Sequence, residues 1–318
     1  MPAVTAKAPA KTILFGEHAV VYGYPAIAVP VSGLIVKTSV LPHIGRENTI
    51  IRFNIEDGFE ETSLSKLDRQ HPILVCLREI ENMLGQPLPN MEITISSSIP
   101  IAAGLGSSAA IAVAVTRAVS EFLGLRISNE AINQIAYQSE VIQHGTPSGI
   151  DNTVIALNQP VMYIKGKPIQ PLTIRSPFHI ILADSGDRVL TKEVVASVGK
   201  LRNDKPEIVA DLFDQIGRIT RSALTAVQKG NAKLIGELMN KNHKVLQKLS
   251  VSSAKLDSLV SEALASGAYG AKLCGAGRGG FMVAVCDANL IEKIMENLLA
   301  HGASRVFYSI IGPTPEAV

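Results

Sequence analysis

Tryptophan is absent from the 318-residue chain, and Phe and Tyr together bring the aromatics to only 4%. So few flat rings offer no stacking platform for bases. With 30 Lys and Arg against 28 Asp and Glu, a formal charge of +2 and no basic block, the chain also lacks an electrostatic footprint for nucleic acid. Cysteine is scarce as well: Cys76, Cys274 and Cys286 lie far apart without CxxC spacing. That pattern excludes a disulfide framework and a structural zinc site, and the three read as small buried apolar residues. No two of the seven histidines form a spaced pair able to hold a catalytic metal on one helix face. His43, His71, His179 and His301 read as surface residues. Apolar residues make up 47% of the chain, yet Gly, Pro or charge breaks every apolar stretch. None approaches the roughly 18 to 20 residues that span a bilayer. Near the start, the short apolar run 12–15 meets Gly16-Glu17-His18 at once, which is no signal-peptide core. A cytoplasmic protein with neither a membrane nor a nucleic-acid partner is expected.

A chain of this length can bury the core of one large domain or two medium ones, and two are expected. Residues 12–15, 26–40 and 49–55 are apolar and β-branched, as strands are, and 91–95 alternates as a half-buried strand does. Helices are predicted over 71–84, ending near Gly85, over the Ala-rich 107–123, ending near Gly124, and over 129–143. The pattern then resets, with a strand at 179–183, helices at 207–228, 232–249 and 256–266, strands at 271–274 and 281–285, a helix at 290–300 and a closing strand at 305–311. A second domain, a compact α+β unit, is expected to begin between about 155 and 180.

Four segments carry chemistry. In the first, Pro100-Ile-Ala-Ala-Gly104-Leu105-Gly106-Ser107-Ser108-Ala109, a glycine-rich turn opens the Ala-rich helix. Glycines let the backbone approach phosphate oxygens, the first helical N–H groups lack partners, and the helix dipole favours an anion. Ser107 and Ser108 add hydroxyls suited to phosphate or Mg²⁺; the alternative is a plain loop with a Ser cap. The loop also satisfies GxGxxA, but a dinucleotide fold needs a second parallel strand with an acidic residue after the helix, and 127–143 reads as helix. No Gly-Lys-Ser/Thr follows, so it is not a Walker loop either. A phosphate site of a third kind remains.

The second segment, from Ser139-Glu140 to Ser148-Gly149-Ile150-Asp151, ends a helix in a Pro/Gly turn with an acid just beyond. Its two carboxylates suit separate tasks in phosphoryl transfer, Glu140 holding Mg²⁺ and Asp151 facing the attacking hydroxyl. In the third, Lys11 sits at the head of a strand closed by Gly16-Glu17-His18, where an ammonium can stabilise charge beside a reactive acid. In the fourth, Gly275-Ala-Gly277-Arg278-Gly279-Gly280 lies between two strands, as a tight crossing beside a ligand or a bare hairpin turn.

Three glycine-bearing motifs in this order, spread over nearly the whole chain, resemble the GHMP kinase superfamily. Gly16-Glu17-His18-Ala19-Val20-Val21-Tyr22-Gly23, the run from Leu238 to His243 and the run from His144 to Asp151 are similar to signatures of its mevalonate-phosphorylating members. Galactokinases follow Gly-Glu-His with Thr-Asp-Tyr, where this chain has Ala19, Val20 and Val21. Homoserine kinases share the serine loop but usually lack the lysine and the aspartate. The resemblance implies an α+β fold, with an amino-terminal domain like ribosomal protein S5 domain 2 over 1–170, a ferredoxin-like carboxy-terminal domain over 171–318, and an active site in the cleft between them. It implies ATP and Mg²⁺ as cofactors, Asp151 as general base and Lys11 as its charge-stabilising partner. Ser108 and Glu140 would coordinate the metal, and the backbone of Gly104, Leu105, Gly106 and Ser107 would cradle the phosphates. Glu17 and His18 would face the mevalonate end of the pocket, with Ser148 and Thr191 as second contacts, and the chain would form a homodimer. Two positions depart from the family pattern: Arg278 stands where a glycine is usual, and Ala10 replaces a frequent glycine. A cation at 278 can reach a substrate carboxylate or phosphate, or point to solvent. Phosphomevalonate, another small hydroxy acid or a sugar is the in-class alternative acceptor. A ligand-binding regulator without turnover is the other alternative, one that would usually have lost the lysine, aspartate or metal residues.

Overall fold

The structure, a computed structural model, describes residues 3–43, 49–55, 58–100, 104–145 and 147–313. The chain forms two compact units, one of Met1–Lys11, Leu34–Ile101 and Leu105–Asn158, the other of Thr12–Gly33, Ala102–Gly104 and Gln159–Val318.

In the first unit, β1 (Val4–Phe15) and β2 (Ala26–Pro42) contribute their outer parts, joined by β3 (Ile50–Ile55), β4 (Gly58–Ser63) and β5 (Met91–Ser97). The strands run β4-β3-β5-β2, and β1 also pairs with β2. β3 and β5 are parallel, whereas β2 is antiparallel to β5 with Thr38 opposite Ile95. Alternation sets the faces: Met91, Ile93 and Ile95 are buried, while the residues between them are partly exposed. Helices α1 (Pro72–Leu84), α2 (Ser107–Phe122), α3 (Asn129–His144) and α4 (Ile150–Leu157) complete the unit. α1 starts where proline is tolerated, behind a His71 ring that accepts from the Ile73 N–H, and stops at Gly85 in the left-handed region. α2 is buried along most of its length, and its run of alanines lets α1, α3 and α4 pack closely around it.

In the second unit, the opening of β2 pairs with β6 (Val161–Tyr163), which pairs with β7 (Gln170–Pro171). An antiparallel four-stranded sheet runs β11-β8-β10-β9, built from β8 (Phe178–Asp184), β9 (Gly270–Leu273), β10 (Phe281–Cys286) and β11 (Arg305–Ile311). Met282, Ala284 and Cys286 of β10 and Ala271 and Leu273 of β9 enter one apolar core. That core also holds residues of α5 (Thr191–Asp204), α6 (Pro206–Lys229), α7 (Ala232–Lys248), α8 (Ala254–Ala265) and α9 (Ile291–Ala300). Period-two alternation therefore turns Lys272, between Ala271 and Leu273, to the other face.

The sequence expectations contain no strand at β4, β6 or β7, and three further features depart from them. β1 begins at Val4 rather than residue 12, so Lys11 lies well inside a strand; the alanines at 6, 8 and 10 that line its buried face are weak strand formers. α4 is rich in β-branched residues and opens after a glycine, yet Ile150 and the run Asn152 to Ala156 are buried, and packing overrides propensity. α5, with Val194, Val195, Val198 and Gly199, is the third. Among the described residues, no helix is long and apolar enough to cross a membrane.

Candidate active site

In the first unit the glycine loop and the lysine strand are built against each other. The Lys11 N–H donates to the Leu105 carbonyl at 2.9 Å. Gly106 then caps α2 in the left-handed region, at φ 75°. The backbone angle favours glycine, and a Cβ there would lie 3.0 Å from both Lys11 Cγ and Ile155 Cδ1, pressing on the lysine stem. The first turn of α2 contains no acidic residue to compete with an anion, and Ser107 and Ser108 are its first two residues, both partly exposed. Residues 101–103 of the expected loop lie outside the described residues.

The lysine side chain, 7% exposed, reaches Asp151 with Nζ 2.9 Å from Oδ1, and the carboxylate is one-third exposed. Asp151 occupies the first turn of α4, whose positive end favours a carboxylate. That short helix is fastened from α3: the Asn152 amide donates to Asn133 Oδ1 at 2.6 Å, and the Thr153 hydroxyl donates to the same oxygen at 3.2 Å. Ser148 is exposed, its hydroxyl accepting from the Ile150 N–H at 3.3 Å. The His144 side chain and Thr146 of this motif lie outside the described residues.

Glu140, also on α3, is 4% exposed. Among the described residues, no group of three or more His, Cys, Asp and Glu is gathered as a metal cage. A carboxylate and a serine hydroxyl are hard oxygen donors, the type of ligand that Mg²⁺ takes in ones and twos from a protein before phosphate and water complete its shell.

In the second unit, the expected Glu17 and His18 are both buried, at 1% and 6% exposure. The Glu17 carboxylate is sealed in. Lys272, with no exposure, donates to one oxygen and also to the Leu273 carbonyl, while the Asn242 amide donates to the other oxygen at 3.3 Å. Burial pushes the Glu17 carboxyl up, against the opposing pull of the Lys272 ammonium. His18 has a positive φ of 61°, and its Nε2 lies 2.7 Å from the Ala276 carbonyl. Burial lowers its pKa, and the charges of Arg278 and Lys272 add to this, so the ring is neutral near pH 7. With Nε2–H committed to Ala276, Nδ1 is the acceptor nitrogen.

The third glycine motif connects the antiparallel β9 and β10, so it is a hairpin loop. Gly277 allows Val251 to approach so closely that a Cβ would sit 1.9 Å from its carbonyl oxygen. Arg278 is exposed and left-handed at φ 58°. Its N–H donates to the Val251 carbonyl at 2.8 Å and its Nε to the Ser250 carbonyl at 3.1 Å, so the guanidinium fastens the loop to the α7–α8 turn. His243 supports the same region, accepting from the Leu273 N–H at Nδ1 and meeting Asp257 with Nε2 at 3.0 Å. Thr191 opens α5, exposed, after a loop held by Arg188 on the buried Asp184.

Sequence reasoning missed Lys272 and Asn133. The lysine carried a signal, a single charge in an otherwise apolar strand, but nothing nearby in the chain named its partner.

The model of the GHMP kinases N terminal domain matches residues 71–159, and that of the GHMP kinases C terminal matches 223–304. The chain belongs to the GHMP kinase family. Within that family its likeness is to mevalonate kinases. It is 38% identical to the mevalonate kinase of Pyrococcus furiosus and 35% identical to that of Thermococcus gammatolerans, each alignment covering 95% of both chains. Its fold is similar to the crystal structure of the Methanococcus jannaschii mevalonate kinase, with a TM-score of 0.84, 27% identity and coverage of 98% of this chain and 99% of that one. It is also similar to the L. major enzyme in complex with R-mevalonate, with a TM-score of 0.82, 27% identity and coverage of 98% and 96%.

Proposed function

We propose that the chain transfers the terminal phosphoryl group of ATP to the primary hydroxyl of mevalonate, giving 5-phosphomevalonate and ADP for isoprenoid precursor synthesis. The observation that carries this reading is the Lys11–Asp151 pair, 2.9 Å apart, with the Lys11 stem packed against the Gly106 turn of the anion-binding loop. Asp151 takes the hydroxyl proton as that oxygen bonds to the γ-phosphorus, and the bond to the β–γ bridging oxygen breaks with ADP as leaving group. Lys11 stabilises negative charge on the attacking oxygen. The backbone of Gly104, Leu105, Gly106 and Ser107 holds the phosphates. Ser108 and Glu140 hold Mg²⁺, which supplies charge neutralisation for the phosphate oxygens when bound. His18 offers its Nδ1 to a mevalonate hydroxyl, Glu17, enclosed by Lys272 and Asn242, serves that end by holding the loop and not by touching substrate, and Ser148 and Thr191 add polar contacts. Residues 1–170 and 171–318 make up the amino- and carboxy-terminal kinase domains of a cytoplasmic homodimer.

The test is ADP release from the purified protein with ATP and Mg²⁺ and, in turn, mevalonate, phosphomevalonate, galactose and homoserine, with the product examined by phosphorus NMR. Phosphate on the primary hydroxyl of mevalonate is expected. Turnover with another acceptor alone would overturn the substrate, and no acceptor-dependent ADP would overturn the activity.

A further inference from the structure

Arg117 is the one basic residue of the Ala- and Val-rich α2, ten residues from the serine that opens the helix and four before Glu121, the helix's other charge. One NH group donates to the Lys7 carbonyl of β1 at 3.0 Å. The other donates to the Ala156 carbonyl of α4 at 2.7 Å and to Asn129 Oδ1 at 3.4 Å. All three acceptors are neutral, and burial lowers the guanidinium pKa, so the cation is held at a cost for the geometry it imposes. Ala156 contributes one of the last carbonyls of α4, where a cation also suits the negative end of the helix dipole.

The two strand and helix partners of Arg117 are the elements that carry the reactive pair. Lys7 lies four residues before Lys11 on β1, about 13 Å along an extended strand. Ala156 lies five residues after Asp151 on α4, about 7.5 Å along a helix. At the active-site end, β1 is tied to the start of α2 by Lys11 N–H to Leu105 O and to α4 by the Lys11–Asp151 ion pair. At the far end, Arg117 makes the corresponding two ties with one rigid fork. β1, α2 and α4 thus form a frame closed at both ends.

We infer that Arg117 is a positioning residue for phosphoryl transfer: by bridging β1 and α4 it sets the separation of Lys11 and Asp151, without touching either substrate. The inference rests on the roles proposed for that pair. Lysine cannot replace it fully, because a single ammonium lacks the planar fork that reaches two backbones at once.

The experiment compares Arg117→Met, Arg117→Lys, Arg117→Ala and Asp151→Asn in the full chain. It measures kcat, KM for ATP and mevalonate, the pH profile of kcat and the thermal midpoint, with assays well below that midpoint. Arg117→Met is expected to lower kcat by roughly 10- to 100-fold, as misplacement of reacting groups does. KM for ATP should stay within about twofold, and the pH profile should shift. Arg117→Lys should recover part of the loss, and so should guanidinium ion added to Arg117→Ala. A lower midpoint in Arg117→Met and Arg117→Lys with unchanged kcat and pH profile would reduce the brace to a stability element and overturn the inference. Turnover retained by Asp151→Asn would overturn the pair's role, and the inference with it. An inactive Asp151→Asn beside a fully active Arg117→Met would overturn the inference alone. Should Arg117→Met fail to fold, Arg117→Lys decides on the same readouts.

Discussion

Two lysine–carboxylate pairs in this molecule differ in one physical respect. Lys11–Asp151 keeps its carboxylate one-third exposed, whereas Glu17–Lys272 is fully enclosed on both sides. An exposed carboxylate can meet a substrate hydroxyl and exchange a proton with it. A sealed one cannot, and there the low dielectric makes the pair depend on every partner being present. In the third glycine loop, Arg278 stays exposed and donates Nε to the Ser250 carbonyl, while its backbone N–H donates to the Val251 carbonyl. Between the two lysine–carboxylate pairs, accessibility and not residue type is what separates the charge proposed to react from the structural one.

The sharpest test of that contrast is Asp151→Asn. It should cut kcat by about 10²- to 10⁴-fold, the usual contribution of a general base, and leave ATP affinity measured by calorimetry nearly unchanged. A variant with near wild-type turnover would erase the distinction from the active side. From the structural side, Lys272→Met leaves a buried carboxyl without its cation and should cost about 3 to 5 kcal/mol in urea unfolding. The double variant Glu17→Gln, Lys272→Met should recover most of it, and a Lys272→Met protein of unchanged stability would show the pair to be dispensable. Ser108→Ala and Glu140→Gln should each raise the Mg²⁺ concentration for half-maximal rate by about tenfold or more, and an unshifted titration would reject their metal role.

The smallest effect is on pH dependence. Burial holds the pKa values of His18 and His243 below the ordinary 6.5. Their neutral forms contribute stability that is complete above about pH 6.5 and lost as pH falls through the folded values. Glu17 runs oppositely: its raised pKa gives a contribution present below 4.5 and lost as pH rises through the folded value. The urea midpoint of His243→Gln should therefore fall less between pH 7 and 5.5 than that of the wild type. Equal slopes would remove His243 from the account.

Much of the architecture was legible because periodicity and caps report local energetics. The Ala-rich α2 behind its glycine turn, the alternating β5 and the closing β11 form where the pattern predicts them. α4 and α5 were not legible, since their β-branched residues have poor helix propensity and only burial selects the helix. The lysine in β1 was assigned to a strand head because alanines at 6, 8 and 10 carry little strand signal until a sheet covers them.

The site divides in the same way. Lys11, Ser107, Ser108, Glu140 and Asp151 are candidates that short motifs suggest and to which we assign the proposed roles, because anion binding at a helix start and a carboxylate after a tight turn depend on neighbours in the chain. Residue order also determined the family, through three glycine motifs whose backbone angles few other residues adopt. Only the tertiary structure decided that Lys11 reaches Asp151, that Lys272 and Asn242 enclose Glu17, that Arg278 Nε donates to the Ser250 carbonyl and that Arg117 ties β1 to α4. Each of these joins residues from 28 to 255 positions apart, or bridges two elements through a third. No local propensity encodes such partners; packing brings them together and fixes which charges water can still reach.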